Sequence, residues 1–265
     1  MPTTDFALYV RQIALQQTQE AFAFWRNLLR DSTITKLPYA VPQTGTKEAA
    51  LECSTNIPIP NPPVGITMAS MVKAAWSNVL REVTGTSDLV FAQLVNMRGI
   101  DMPGIYRLVG PCYTILPIRL KYQPSWTILD LLRTVQDQHA QSMPFETAQW
   151  HRIVSESTNW PPGTLPQTLV VHQDYPTEFD IQMDKTGGGD RLRCQLVEYL
   201  PNELVDMSVD LYSEPRGDQL SLALFSSNRF IAREQLQMLL EKLCDTLVRF
   251  SAAPEGVLGA VSNER

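Results

Sequence analysis

The sequence predicts a mixed α/β fold in which helices cover a largely β core. Two kinds of hydrophobic pattern alternate along its 265 residues. In some segments apolar residues recur every three or four positions, which is typical of amphipathic helices, and between them lie short apolar runs typical of buried strands. Helical and strand segments interleaved in this way indicate a layered α/β architecture.

The composition is that of an ordinary globular protein, with 44% hydrophobic and 19% charged residues. The net charge of −6 argues against a nucleic-acid partner, because phosphate binding relies on a basic surface. The apolar runs fall short of the roughly 20 residues that a membrane span needs, so we expect no membrane association. The cysteines lack the paired spacing of a metal site, which predicts no metal and reduced thiols in a cytoplasmic protein. They are Cys53, Cys112, Cys194 and Cys244.

The first element is predicted to be an amphipathic helix over about residues 13–30. Its apolar face consists of Ala21, Phe22, Trp25, Leu28 and Leu29. A loop is expected at about 33–47 and a strand at 49–54. The prolines from Pro58 to Pro63 exclude regular structure just after that strand.

The clearest helix in the sequence covers residues 68–83, where apolar residues keep helical spacing and Gly85 stands at the position of a C-terminal cap. The nearly all-apolar run 89–95 predicts a buried strand, and residues 112–121 predict another. Thr127 and Asp130 then have the spacing of a capping box.

The capping box predicts a helix that reaches about residue 141. Pro144 interrupts it, and a second helix is expected over 145–157. Strands are predicted at 167–172, 192–200, 204–212 and 219–226. The linker 213–218 contains Pro215 and Gly217, which favours a hairpin. A last helix is predicted over 232–250.

One run of residues resembles a known family signature. Leu108–Leu120 reads Leu-Val-Gly-Pro-Cys-Tyr-Thr-Ile-Leu-Pro-Ile-Arg-Leu. It is similar to the Gly-Pro-x-x-Asn-Thr-x-Pro-x-Arg signature of condensation domains in nonribosomal peptide synthetases, with Tyr113 in place of the usual Asn. Further segments resemble motifs of the same family, in the same order and at similar spacing. These are Thr4–Leu8, Phe24–Leu29, Thr67–Asp88, Phe91–Arg98, His139–Glu146 (altered at Ala140 and Ser142) and His172–Asp174, the last with a fungal character.

The resemblance implies a lobe similar to chloramphenicol acetyltransferase, with a mixed β-sheet covered by helices. Family members have two such lobes, and their catalytic His-His-x-x-x-Asp-Gly motif lies in the first. None of the three histidines of this chain stands in such a motif. We therefore expect residues 1–265 to be the C-terminal lobe, cut from its catalytic half, with no catalytic residue of its own and no turnover alone.

The resemblance also implies a reaction and partners. Condensation domains join two carrier-bound thioesters through an amide bond, and terminal ones close a macrocycle; the sequence leaves both open. The expected partners are the N-terminal lobe of the same domain and a peptidyl or acyl carrier protein. No cofactor is expected to bind directly, because phosphopantetheine arrives attached to the carrier.

Several residues are candidates for the wall of the substrate tunnel. They are Gly110, Pro111, Tyr113, Thr114, His172 and Gln173. Alternation along a strand puts Tyr113 and Thr114 on opposite faces, so we expect only one of them in the tunnel. Arg119 is either a contact for the carrier phosphate or, since its neighbours are apolar, a member of a structural ion pair. Residues 175–191 form a latch onto the other lobe or a plain surface loop.

Two other functions stay open. A non-catalytic module that docks carrier proteins needs no catalytic motif. The lobe of an epimerisation domain or of a related acyltransferase also depends on histidines in the first lobe, although the Asp-Phe-Gly-Trp-Gly pattern of plant-type acyltransferases is absent. Thr186–Asp190 contains three glycines but no phosphate-binding motif, so we expect a flexible connection there.

Overall fold

The structure is a computed structural model that describes residues 5–39, 49–174, 179–182, 191–194 and 209–259. Its helices are α1 (Phe6–Leu15), α2 (Gln19–Leu28), α3 (Met68–Thr84), α4 (Ile128–Ser142), α5 (Trp150–Ser157) and α6 (Arg233–Ala252). Its strands are β1 (Ala50–Pro58), β2 (Asp88–Asn96), β3 (Tyr113–Lys121), β4 (Thr168–His172), β5 (Phe179–Gln182), β6 (Arg191–Cys194), β7 (Val209–Arg216) and β8 (Gln219–Ser227). Short 3₁₀ turns occur at Met97–Gly99, Ile105–Arg107 and Met143–Phe145.

Six of these strands form one mixed sheet in the order β1-β8-β7-β4-β2-β3. The central strand β4 runs parallel to both β2 and β7, and the remaining pairs are antiparallel. Strands β5 and β6 pair with each other in a separate antiparallel sheet. The predicted mixed α/β fold is therefore confirmed.

Two cores hold helices against this sheet. The larger lies under α3, α4 and α6, where Trp76, Phe91 and Phe250 are fully buried. The smaller joins α2 and α5 to the edge of the sheet at β3 through Phe22 and Trp25. Because α3 has apolar residues on several sides, it can contact the sheet and both of its neighbouring helices.

Two helix termini, the end of α3 and the beginning of α4, are capped as the sequence predicted. Gly85 caps α3 in the left-handed conformation, at φ 68°, and its N–H donates to the carbonyl of Arg81. Helix α4 begins with the full capping box, in which the Thr127 hydroxyl accepts from the Asp130 N–H and the Asp130 carboxylate accepts from the Thr127 N–H. Each cap depends on residues only a few positions apart, which explains why both could be predicted from the sequence.

The predicted helix over 13–30 was wrong in its limits, because two helices, α1 and α2, occupy this region. Each has its own N-terminal cap: Asp5 accepts from the Ala7 N–H at 2.9 Å, and Thr18 accepts from the Ala21 N–H at 3.2 Å. Helix α1 ends at Leu15, and the Thr18 cap starts α2. The predicted apolar face nevertheless holds, since Ala21, Phe22 and Trp25 are buried.

Other limits also differ. The helix predicted over 145–157 begins only at Trp150, because the chain near Pro144 forms a 3₁₀ turn. Strand β1 continues to Pro58, which an edge strand tolerates at its end. Strand β7 continues to Arg216, so the hairpin turn is shorter than predicted and contains Gly217 at φ 64°.

The segment 175–191 is not a plain loop throughout, since β5 lies within it. Its remaining residues, apart from Arg191 in β6, lie outside the described part of the chain, as do Thr186–Asp190. The same holds for most of the strand predicted at 192–200. No described helix is long and apolar enough to cross a membrane.

Candidate functional site

The signature residues lie where the N-terminal helix meets the loop before β3. Gly110 has φ 152°, a backbone conformation that residues with a side chain rarely adopt. A Cβ atom placed there would lie 2.5 Å from Cδ2 of Phe6. The aromatic residue of the Asp5-Phe6-Ala7 segment therefore packs directly on the glycine of the Gly-Pro signature.

Arg98 holds the loop that leads into the signature. One guanidinium nitrogen donates to the carbonyls of Ile105 and Leu108, at 2.8 and 3.0 Å, and the other donates to that of Gly110 at 3.3 Å. Three backbone acceptors along the loop thus converge on one side chain. Arg98 was not among the predicted site residues, although its place in the Arg-Gly pair after β2 was a usable signal.

Large apolar side chains of this loop and of the start of β3 are exposed to solvent. Tyr106 is 81% exposed, Val109 is 90% exposed and Tyr113 is 56% exposed. Pro111 is also exposed, whereas Thr114 is half-buried. These three exposed side chains, Tyr106, Val109 and Tyr113, are called here the signature face.

His172 and Gln173 lie at the end of the central strand β4. The Nδ1 atom of His172 is 2.8 Å from the Ser213 hydroxyl, and its Nε2 atom is 3.0 Å from Oδ1 of Asp174. The N–H of Gln173 donates to the Ser213 carbonyl at 2.9 Å. Burial lowers the pKa of His172, against the opposing effect of Asp174.

The sheet brings these two groups of candidates to one end of the domain. Val95 pairs with Thr114, and Gln93 pairs with Val170. From the second pairing both strands continue in the same direction, β2 to Asn96 and β4 to His172. Thr114 and His172 therefore lie towards the same end of the sheet, on the two strands that flank β2. This is also the end at which the parallel strands β2 and β4 terminate, a common position for ligand sites.

Arg119 lies elsewhere and forms a structural ion pair. Its guanidinium binds Asp88 in a bidentate manner, at 2.7 and 2.9 Å, and donates to the carbonyls of Leu28 and Arg30. The Arg119 side chain is only 3% exposed, and the bonds it donates to Asp88 lower the pKa of that carboxyl. With four donated hydrogen bonds and almost no exposure, the guanidinium is poorly placed to contact a carrier phosphate.

A buried polar cluster around Lys73 was missed by the sequence analysis. Its ammonium group donates to Oε1 of Gln93 at 2.9 Å. Burial lowers the pKa of Lys73 to about 8 and raises that of Glu146 to about 7. Nδ1 of His139 lies 4.0 Å from Oε1 of Glu146. Lys73 lies three residues before the buried Trp76 in the same helix, and this spacing was the signal in the sequence that Lys73 would be buried.

No group of histidine, cysteine, aspartate or glutamate that could hold a metal ion occurs among the described residues. The described histidines are His139, His151 and His172, of which His172 is one of the candidate tunnel residues. The tunnel assignment of all six candidates stays a prediction.

Comparison with known proteins identifies the family. The family model described as "Condensation domain" matches residues 1–262. Malformin synthetase mlfA of Aspergillus sclerotiicarbonarius is 36% identical over 264 residues, which cover 97% of this chain and 5% of the relative. Nonribosomal peptide synthetase hkm11 of Aspergillus hancockii is 33% identical over 261 residues, which cover 97% of this chain and 19% of the relative. The chain thus spans less than a fifth of either relative.

Solved structures agree with this result. The crystal structure of holo T3CT has a TM-score of 0.85 and 28% identity, over 97% of this chain and 57% of that one. The starter condensation domain of rhizomide synthetase RzmA, at 17% identity, shares the fold with a TM-score of 0.69, over 95% of this chain and 56% of that one. The predicted fold similar to chloramphenicol acetyltransferase is confirmed through these neighbours. The chain belongs to the condensation-domain family of fungal nonribosomal peptide synthetases.

Proposed function

We propose that this chain is the C-terminal lobe of a condensation domain and acts together with a first lobe that carries the His-His-x-x-x-Asp-Gly motif. The main support is the extent of the structural match, since 97% of the chain superposes on only 57% of the T3CT chain. The similar share of the RzmA starter domain, 56%, supports the same division. In each neighbour, the part that this chain does not cover is large enough for one further lobe.

The signature face is the surface that we assign to the first lobe. Its three side chains are exposed, and Arg98 and Phe6 contact the loop that carries Tyr106 and Val109. A preorganised apolar surface rich in tyrosine is typical of a binding interface, because little conformational entropy is lost on association. The candidate tunnel residues Thr114 and His172 then border this interface.

In the assembled domain the reaction is amide formation. The amine of one thioester attacks the carbonyl of the other, the C–N bond forms, the C–S bond breaks, and the thiolate takes up the proton that the amine loses. Holding both reactants in line is the largest contribution this lobe can make. Carrier proteins deliver both reactants on phosphopantetheine, and a terminal domain would use an amine of the same peptide. The described free thiols Cys53, Cys112 and Cys244 support a cytoplasmic location.

The test is reconstitution with a separately expressed first lobe from one of the fungal relatives. We expect a one-to-one complex in sedimentation and amide product by mass spectrometry when both lobes and loaded carriers are mixed. Val109→Asp should weaken the complex, whereas Val64→Asp, at an equally exposed position remote in sequence, should not. If the chain binds a loaded carrier protein but does not associate with a first lobe, this proposal is wrong. The alternative, a non-catalytic module that docks carrier proteins, would then replace it.

A further inference from the structure

Asp210 lies on the sheet face that α3, α4 and α6 do not cover. Its neighbours in β7, Val209 and Leu211, are both fully buried in the core under those helices. Since side chains alternate along a strand, Asp210 and Tyr212 point to the opposite face. Asp210 and Tyr212 each keep partial exposure.

The surroundings of Asp210 are apolar. The register places it beside Leu169 of β4 and Phe225 of β8. Tyr212 meets the Phe225 ring edge-on, with ring centroids 5.2 Å apart, and also packs with Leu169 and Val171. An acidic group thus lies among aliphatic and aromatic side chains in the middle of the sheet.

One oxygen of the Asp210 carboxyl group is buried without a partner among the described residues. This Oδ1 atom is inaccessible to solvent and makes no hydrogen bond within the described part of the chain. Burial raises the pKa of Asp210 to about 7. Because an unpaired buried polar group destabilises a fold, its presence indicates a use other than stability.

We propose that Asp210 binds the amine of the acceptor substrate on this sheet face. This inference rests on the proposed function and deepens it. In amide formation the acceptor arrives as an ammonium ion, so it brings the positive charge and the N–H donors that the carboxylate lacks. The apolar residues around Asp210 exclude water and so strengthen the pairing.

The same pairing prepares the acceptor for reaction. The carboxylate takes one proton from the ammonium and leaves a neutral amine beside a carboxylic acid. The amine then attacks the thioester, and the proton it loses goes to the departing thiolate. The Asp210 acid afterwards returns its proton to solvent. The step needs no further reactant.

Binding by the chain alone tests this inference. The probe is alanyl-aminopantetheine, in which a stable amide replaces the thioester, and its N-acetylated form is the neutral match. Because a hydrogen bond to a charged group contributes about 1.5–3 kcal/mol, we expect the free amine to bind about 10- to 100-fold more tightly than the acetylated form. Asp210→Asn should abolish this preference, and Asp137→Asn, which removes an exposed carboxyl of α4, should retain it.

A stability measurement separates a binding role from a structural one. Asp210→Leu should raise the midpoint of thermal unfolding, because it removes an unpaired buried carboxyl from an apolar surface. Equal affinity for both probes in the unmodified chain, or a preference that persists in Asp210→Asn, overturns the inference. Amine preference in the chain without amide formation after reconstitution would instead contradict the proposed function alone.

Discussion

Substitution of Gly110 by alanine tests whether two distant motifs form one structural unit. An alanine Cβ would lie 2.5 and 2.6 Å from two atoms of the Phe6 ring, whereas ordinary contacts are 3.4–4 Å. The ring must move by about 1 Å, and overpacking of this kind costs about 1–3 kcal/mol. The positive φ of 152° adds backbone strain of about 1–3 kcal/mol. We therefore expect Gly110→Ala to lower the free energy of unfolding by about 2–6 kcal/mol.

Urea unfolding followed by tryptophan fluorescence measures this loss. A double-mutant cycle with Phe6→Ala isolates the steric part, because alanine at position 6 removes the ring that the new methyl group meets. We expect Phe6→Ala to recover about 1–3 kcal/mol of the effect of Gly110→Ala. If the two effects add within about 0.5 kcal/mol, the two side chains do not clash and the reasoning is refuted.

Three further substitutions have expected outcomes in the same assay. Arg119→Met should cost about 1–3 kcal/mol, because it leaves two backbone carbonyls without their donor and Asp88, which is 42% exposed, without its ion pair; a loss below about 1 kcal/mol would contradict a structural ion pair. Thr127→Ala should cost about 1 kcal/mol through loss of the α4 cap, and Thr127→Ser, which keeps the hydroxyl, serves as the control. Burial raises the pKa of Asp210 from 3.8 to about 7, so the folded state keeps this proton up to a higher pH than the unfolded state does. The free energy of unfolding should therefore fall as pH rises through that interval. The fall is at most about 1.4 kcal/mol per pH unit, and a profile that Asp210→Asn does not flatten would count against the shift.

Features that depend on neighbouring residues were predictable from the sequence. The apolar spacing of α3 and its Gly85 cap, and the box formed by Thr127 and Asp130, involve residues of a single element. The break between α1 and α2 shows the limit of such reasoning. Thr18 is one polar residue within an amphipathic pattern, and only its hydrogen bond to Ala21 shows that it starts a new helix.

The candidate site depends on contacts between distant segments, which no local pattern encodes. The family signature identified Gly110 and His172, but not the Phe6 ring that packs on the glycine or the Ser213 hydroxyl that orients the histidine. Lys73 and Asp210 read as ordinary polar residues until the fold buries them. Their electrostatic character comes from desolvation, and desolvation is a property of the packed chain.

Periodicity, caps and motif order along the chain therefore suffice for the α/β class and the condensation-domain family, because each arises from short-range geometry or from the residues themselves. The pairing of β4 with both β2 and β7, which brings Thr114 and His172 to one end of the sheet, is decided by tertiary structure. So is the isolation of Asp210 on its apolar face. Strand order and burial result from the collapse of the whole chain around its core, and they set which of its polar residues can act on a substrate.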